Sequence, residues 1–137
     1  MVLAIMGIVA AMAAPRYASA ICRFQVDTTA RRLVRDLTTA RERARAQGAN
    51  QSVTFTVASD TYTVMGMSGL DGSANYTVRV SGEPYNTTMV SAVFGGQGSV
   101  VFDGYGVPVS GGTVVLESGG YTKTVTVDAE TGRASLQ

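Results

Sequence analysis

The chain contains no histidine, and this absence removes both the commonest general base and the commonest metal-binding side chain of proteins. It has a single cysteine, Cys22, so no disulfide can form within the chain. The carboxylates are scattered through expected turns, and no pair has the spacing of a shared acid–base site. The sequence therefore predicts no catalytic residue, no metal site and no cofactor, and an enzyme is the least favoured class of function.

The common ligand-binding motifs are missing as well. Asp-Gly pairs occur at 71–72 and 103–104, but neither belongs to the alternating acidic series of a calcium loop. The segment 103–106 has two glycines, yet no Gly-x-Gly-x-x-Gly or Gly-Lys-Ser motif follows it, and no helix is expected after it. These aspartates and glycines are interpreted as turn residues.

Charge is scarce, at 15% of residues, and it is unevenly distributed. Residues 1–48 contain eight arginines against three acidic residues, a net charge of +5. Residues 49–137 contain three basic and seven acidic residues, a net charge of −4. An acidic body repels phosphate groups, so nucleic acid is an unlikely partner of this part of the chain.

The most informative feature present is the uncharged segment at the N-terminus. Residues Met1–Ala14 are all apolar or glycine, and as a helix they extend about 21 Å, whereas a bilayer-spanning helix needs about 20 residues. The segment could be a signal-peptide core, a buried helix, or a membrane helix whose beginning is missing from the sequence. The third alternative is favoured because the next segment continues the same helix. Pro15 predicts a kink, and Arg16-Tyr17 is typical of a membrane interface.

An amphipathic stem follows. From Ala18 to Gly48 the sequence has no proline and no glycine before the last residue, and Gly48 predicts the end of the helix. Its apolar residues recur every three or four positions, which predicts one helix face packed against a sheet. The members of this stripe are Val26, Ala30, Leu33, Leu37, Ala40 and Ala44. Six arginines lie mostly off the stripe; they form either a solvated face or a surface that pairs with acidic neighbouring subunits.

After Asn50 the apolar period changes to two, which is typical of half-buried strands. Glycine-containing turns separate the segments, and no linker or internal repeat is evident. One long helix followed by a series of short strands predicts an α+β fold, with a long N-terminal α-helix packed on a C-terminal antiparallel β-rich head. The seven expected strands are Ser52–Val57, Tyr62–Met65, Asn75–Val80, Thr88–Phe94, Ser99–Asp103, Gly112–Glu117 and Tyr121–Asp128.

The apolar run that ends at Pro15 resembles the second part of a type IV pilin-like N-terminus. Further resemblance lies in Ala40–Ala49, in Ser52–Val57, in Val101-Phe102-Asp103-Gly104 and in Thr131-Gly132-Arg133. These segments together resemble the GspH/FimT group of minor pseudopilins and pilins. The leader-peptidase site and the following glutamate of that group are absent, and alignment through Pro15 implies that about seven mature residues are missing, which would complete a membrane span.

The resemblance implies a minor pseudopilin of a type II protein secretion system, which assembles into a periplasmic pseudopilus that drives export of exoproteins. It implies residues 1–17 as the membrane and filament-core half of the helix, 18–48 as the amphipathic half, and 49–137 as the head. The expected location is the bacterial inner membrane, single-pass, with the head in the periplasm. The expected partners are inner-membrane lipid, other pseudopilins or pilins, and secreted cargo. The residues expected in the membrane and filament core are Met1, Val2, Leu3, Ile5, Met6, Gly7, Ile8, Val9, Met12 and Pro15.

Two other functions remain open. The first is a minor type IV pilin that acts in pilus assembly or DNA uptake. The DNA-binding members of the group end in Gly-Arg-x-Arg, but here Gly132-Arg133 is followed by Ala134-Ser135, which weighs against DNA uptake. The second is a secreted β-rich binding protein whose apolar start is a cleaved signal.

Overall fold

A computed structural model describes residues 2–70, 72–83 and 85–137, with side chains described from residue 19 onward. One helix, α1 (Val2–Gln47), precedes the head. It ends at the glycine that the sequence indicated, because Gly48 adopts a positive φ of 59° and the Ala49 amide donates to the Ala44 carbonyl at 3.3 Å. This hydrogen bond satisfies a carbonyl that the last helical turn leaves without a partner, so the chain can turn directly into the first strand.

Eight strands are described in the head, and they form two antiparallel four-stranded sheets. They are β1 (Gln51–Thr56), β2 (Thr61–Val64), β3 (Tyr76–Arg79), β4 (Thr88–Phe94), β5 (Ser99–Phe102), β6 (Gly112–Ser118), β7 (Tyr121–Val127) and β8 (Ala134–Leu136). The first sheet has the order β3-β2-β1-β5 and the second has the order β4-β6-β7-β8. In the first sheet β1 and β2 form the expected hairpin, with Val53 opposite Val64.

The α+β class predicted from the sequence is confirmed: a long N-terminal helix lies against antiparallel sheets. The strand count is higher by one than the sequence indicated, because β8 pairs with β7 and places Leu136 opposite Val125. The additional strand is only three residues long. Three residues are too few to show the alternation of polar and apolar side chains by which a strand is recognised.

The core lies between the helix and both sheets. α1 contacts β1 and β5 of the first sheet and β6, β7 and β8 of the second. Alternate residues of the strands are buried, as in the BiBeBe pattern of β1, because successive side chains of a strand point to opposite faces. The Phe55 ring of the first sheet stacks on the Phe94 ring of the second with centroids 5.3 Å apart. The two sheets and the helix therefore share one apolar cluster.

Two close approaches fix the position of the helix against the head. Gly104, in the β5–β6 loop, lies against the helix end, where a methyl group on Gly104 would come within 2.8 Å of the Gly48 carbonyl carbon. Near the other end of the packed segment, a methyl group on Gly119 would lie 2.5 Å from the Cys22 Sγ. Both distances are shorter than van der Waals contact, so each of these positions accepts no side chain without a local shift.

Candidate assembly surfaces of the helix and head

The stripe indicated by the sequence is the face by which α1 packs on the head. Its six residues are at most 1% exposed and belong to the common core, together with side chains of both sheets. They are Val26, Ala30, Leu33, Leu37, Ala40 and Ala44. Both residues at the C-terminal end, Ala40 and Ala44, are alanines, and their small side chains allow the helix to approach the head closely there.

The residues proposed for the membrane and filament core lie outside those whose side chains the structure describes. They are Met1, Val2, Leu3, Ile5, Met6, Gly7, Ile8, Val9, Met12 and Pro15, and the kink expected at Pro15 lies outside them as well. No helix in the described part of the chain contains a stretch long and apolar enough to cross a membrane.

The arginines of the stem take a role that the sequence did not reveal, because three of them bind the protein's own head. The Arg41 Nε donates to the Gly106 carbonyl at 3.2 Å and to the Thr131 carbonyl at 3.0 Å. The Arg43 Nη2 donates to the Gly66 carbonyl at 2.6 Å. Neither a solvated face nor pairing with neighbouring subunits describes these contacts. Their partners are 23 to 90 residues away along the chain, so helical periodicity could not identify them.

The third of these arginines, Arg32, organises a polar cluster between α1 and strand β3. Its two terminal nitrogens donate to the hydroxyls of Tyr76 and Tyr85, and its guanidinium lies over both rings, 5.9 and 5.2 Å from their centroids. Its Nε lies 3.7 Å from a carboxylate oxygen of Asp36, one helical turn later. Burial of Arg32 acts to lower its pKa, but the hydrogen bonds to both tyrosines outweigh it and raise the pKa above its usual range, so the group stays cationic.

Asp36 joins this cluster to the core. The hydroxyl of Tyr62, a buried residue of β2, donates to the Asp36 carboxylate. Burial raises the pKa of Asp36, although the Tyr62 hydrogen bond and the Arg32 charge act in the opposite direction. Burial and the neighbouring carboxylate raise the pKa of Tyr62 as well. The chain of contacts thus runs from a core tyrosine through a carboxylate to a half-exposed arginine.

A cavity of about 440 Å³ opens at this cluster. Arg31, Arg32, Arg35 and Asp36 of the helix line one side of it, and Tyr76 and Tyr85 line the other. Three cations and one carboxylate give the lining a net charge of +2. The cavity is therefore an open, positively charged depression with aromatic walls.

A second surface lies nearer the start of the packed segment. Phe24 is 71% exposed and borders a cavity of about 370 Å³ with Arg23 and Lys123. The Arg23 guanidinium lies 4.9 Å above the Tyr121 ring, and the Lys123 Nζ lies 4.0 Å from an Asp27 carboxylate oxygen. An exposed aromatic side chain beside two cations is a feature of contact surfaces.

The side chains of Asp103 and Asp128 stabilise the turns in which they lie. Oδ1 of Asp103 accepts from the Tyr105 and Val107 amides, and Oδ1 of Asp128 accepts from the Glu130 and Thr131 amides. Within the described ranges, no group of three or more histidine, cysteine or acidic side chains is placed to hold a metal ion.

Comparison with known proteins identifies the family. Residues 29–132, more than half of the chain, match the family of type II transport protein GspH. Two crystal structures of the type IV minor pilin FimU from Pseudomonas aeruginosa strain PAO1, in space groups P21 and P65, have a similar fold. The first has a TM-score of 0.60 at 17% identity and covers 84% of this chain and 90% of that chain. The second has a TM-score of 0.57 at 17% identity, with 81% and 91% covered.

A search of curated proteins gives no match to the chain. The FimU likeness, at 17% identity, establishes the architecture of a helix packed on a β-rich head. The GspH match covers the C-terminal part of the packed helix and nearly all of the strands. The chain therefore belongs to the family of type II transport protein GspH, and it is a pilin-like minor pseudopilin of the GspH/FimT type, as its resemblance to that group predicted.

Proposed function

We propose that this chain is a minor subunit of the pseudopilus of a type II protein secretion system and that it acts by assembly. The match to the type II transport protein GspH family over residues 29–132 carries the proposal. The packing of α1 supports it, because the buried stripe makes the helix and the head one unit that can be moved together.

The proposed location is the bacterial inner membrane, with the head in the periplasm. Residues Met1–Ala14 carry no charge, and we assign them to lipid before assembly and to the filament core afterwards. An apolar surface taken from lipid must be buried again, since exposure to water costs about 25 cal/mol per Å². Helices of other pseudopilins can cover it, so the proposed partners are inner-membrane lipid, sister subunits and, through the head, secreted cargo.

The test is replacement of the gene in its own bacterium. Deletion is expected to leave exported proteins in the periplasm, and the full chain is expected to restore their release. The Ile8→Asp variant should fail to restore it and should be lost from membranes and filaments, because a carboxylate is costly in an apolar helix core. Val109→Asp is the matched control, because Val109 is an exposed residue of the head. Normal secretion in the deletion strain would reject the proposal.

A minor type IV pilin is the second candidate, and the fold similarity to the minor pilin FimU favours it. The same deletion strain separates the two candidates, since loss of surface pili with intact protein export supports the pilin. DNA uptake is tested by a gel shift at about 50 mM salt, where phosphate contacts are strongest. No retardation at that salt concentration rejects a DNA-binding role.

A further inference from the structure

The cavity at Arg32 has the chemistry of a site that binds carboxylates. Arg32 is held in place by two tyrosine hydroxyls and by Asp36, so its guanidinium is fixed before any partner arrives. Arg35, on the rim, is exposed and has no close side-chain hydrogen bond or ion pair to any residue that the structure describes, although its charge acts on the Asp36 carboxylate. A fixed guanidinium and an exposed one, facing the same space, favour an anion with two or more oxygens.

Tyr85 adds a donor to this site. A phenolic oxygen accepts a hydrogen bond and also has one hydrogen to donate. Tyr76 and Tyr85 both accept from Arg32; the Tyr76 hydroxyl is also hydrogen-bonded to the Asp36 carboxylate, whereas Tyr85 retains a hydrogen that can be directed to an anion in the cavity. Tyrosine and arginine are also the residue types that dominate the binding energy of protein interfaces, because they provide contact area and polar groups with little loss of side-chain freedom.

A smaller cavity of about 250 Å³ lies beside the first one, and Arg32 and Tyr76 line both. Leu70, which is 96% exposed, borders this second cavity. Both cavities border the edge strand β3, and we refer to the two together as the Arg32 groove, which has a basic half and a half with an apolar rim. Such a groove suits an extended segment with acidic side chains and at least one apolar side chain.

The charge distribution of the chain indicates that the acidic segment belongs to the head of another subunit. Residues 1–48 have a net charge of +5 and residues 49–137 have a net charge of −4. Glu83 and Glu130 are exposed head residues that form no ion pair with any described residue. In a filament of subunits built on this plan, an acidic head can face the basic helix surface of the next subunit, and opposite charges favour that orientation over others.

From these observations we infer that the Arg32 groove binds a carboxylate-bearing segment on the head of a neighbouring pseudopilin. The identification of the bound segment as part of a pseudopilin rests on the proposed function. The affinity of the groove for a carboxylate does not depend on that function. One carboxylate lies between Arg32 and Arg35 and accepts from the Tyr85 hydroxyl. An apolar side chain of the same segment lies against Leu70.

The chemistry is tested on the full chain in detergent, with the capped peptide Ac-Ala-Glu-Leu-Glu-Ala-amide as the probe and its glutamine counterpart as the control. We expect shifts of the Nε–H NMR signals of Arg32 and Arg35, and at least tenfold tighter binding of the glutamate peptide. Arg35→Gln should weaken that binding about tenfold, which corresponds to about 1.4 kcal/mol. The matched control Arg79→Gln removes one exposed positive charge of β3 outside the groove and should change binding less than twofold.

Several results would overturn the inference. Equal binding of the two peptides, or equal weakening by Arg35→Gln and Arg79→Gln, means that the groove does not recognise carboxylates. Tighter binding of inorganic phosphate or of a short DNA duplex than of the glutamate peptide means that the occupant is a phosphate. An intact NMR spectrum of each variant shows that a loss of binding is not a loss of folding.

The source of the carboxylate is tested in cells with a benzophenone amino acid in place of Thr28, which lines the cavity. Light should produce an adduct whose mass identifies another pseudopilin, and Arg35→Gln should reduce its yield. An adduct with an exported protein, or no adduct in cells that secrete normally, rejects the occupant while the proposed function stands. Peptide binding that persists in a chain shown not to serve secretion rejects the proposed function and leaves the carboxylate chemistry of the groove intact.

Discussion

Two arginines on the same helix, Arg32 and Arg41, are nine residues apart and contact different kinds of acceptor on the head. The Arg41 and Arg32 side chains are similarly buried, with 24% and 30% of their surface exposed. Arg41 donates to two backbone carbonyls, whereas Arg32 donates to two tyrosine hydroxyls. A carbonyl can only accept, so the partners of the Arg41 Nε have no hydrogen to offer a third group. A hydroxyl can also donate, so the Tyr85 hydroxyl that Arg32 contacts keeps one hydrogen for a further partner.

The difference shows that residue type and burial do not determine the role of a charged side chain at an intramolecular interface. The partner atoms determine it. Arg41 joins the 103–107 and 128–133 loops to the helix and borders a cavity of about 630 Å³ beside Thr131 and Arg133. Arg32 borders a cavity of about 440 Å³ whose walls include the two tyrosines that it contacts. Substitutions at these two contacts, and in the packing between them, test this difference; the largest expected effect comes first.

The largest effect is expected from the packing that both arginines depend on. Leu37 lies between them on the stripe and is 1% exposed. Leu37→Ala should lower the free energy of unfolding by about 2–5 kcal/mol, because it leaves a cavity between helix and head. Leu70→Ala removes the same atoms from an exposed side chain and should change stability by less than about 0.5 kcal/mol. Urea denaturation of the full chain in detergent measures both, and equal losses would contradict the packing described.

Arg41→Ala should lower the free energy of unfolding by about 1–3 kcal/mol, because two carbonyls lose a charged donor. Hydrogen exchange at the Gly106 and Gly132 amides, whose turns Arg41 contacts, should become faster. Arg31→Ala is the control, since the exposed Arg31–Asp27 ion pair is expected to contribute no more than about 1 kcal/mol. Unchanged exchange in Arg41→Ala would show that the two loops are held by other contacts.

Arg32→Lys keeps the positive charge at the Arg32 cavity but replaces a forked donor with a single ammonium group. It should lower stability by about 1 kcal/mol and shift the ring signals of Tyr76 and Tyr85, because one ammonium cannot replace both guanidinium contacts. Arg35→Lys, on the exposed rim, should leave both stability and these signals unchanged. Equal effects of the two substitutions would show that the Arg32 guanidinium is held no more firmly than the exposed guanidinium of Arg35.

The smallest effect concerns pH. Burial raises the pKa of Asp36, so the folded chain binds this proton more tightly than the unfolded chain does. Its contribution to stability is therefore fully present below the unfolded pKa and is lost as pH rises through the folded pKa. Hydrogen bonds from the Thr131 and Glu130 amides lower the pKa of Asp128, so its contribution is lost as pH falls through the folded pKa.

Asp36→Asn and Asp128→Asn should accordingly change the slope of stability against pH in opposite directions. Denaturation between about pH 3 and pH 7 measures both slopes. Asp36→Asn removes the decrease of stability toward neutral pH, and Asp128→Asn removes the decrease toward acid. Parallel curves for the wild type and Asp36→Asn would show that the environment of Asp36 does not favour its protonated form.

The parts of the fold that could be predicted from the sequence are those set by local rules. The long helix, its end at Gly48 and the β1–β2 hairpin follow from periodicity and turn residues, and the structure contains them. β8 was not predicted, because its three residues show no pattern and its pairing with β7 is a tertiary contact. Local sequence rules thus indicated the longer elements but not β8, which is a strand only because it pairs with β7.

The candidate site was less accessible to sequence reasoning. Arg32 could be placed off the apolar stripe, but Tyr76 and Tyr85 lie 44 and 53 residues later. Tyr76 is the first residue of a strand and Tyr85 belongs to the loop that follows it, so neither carried a signal of its own. Periodicity predicts which way a side chain faces, whereas the identity of its partner depends on how distant segments fold together.

The two close approaches of glycine have a mechanical consequence. Cys22 against Gly119 and Gly48 against Gly104 are separated by 26 residues of helix, which is about 39 Å along the axis. At both points the backbone of the head lies too close to the helix to admit even a methyl group. A shift of the helix along its axis, or a rotation about it, therefore requires the β5–β6 loop and the turn between β6 and β7 to move as well.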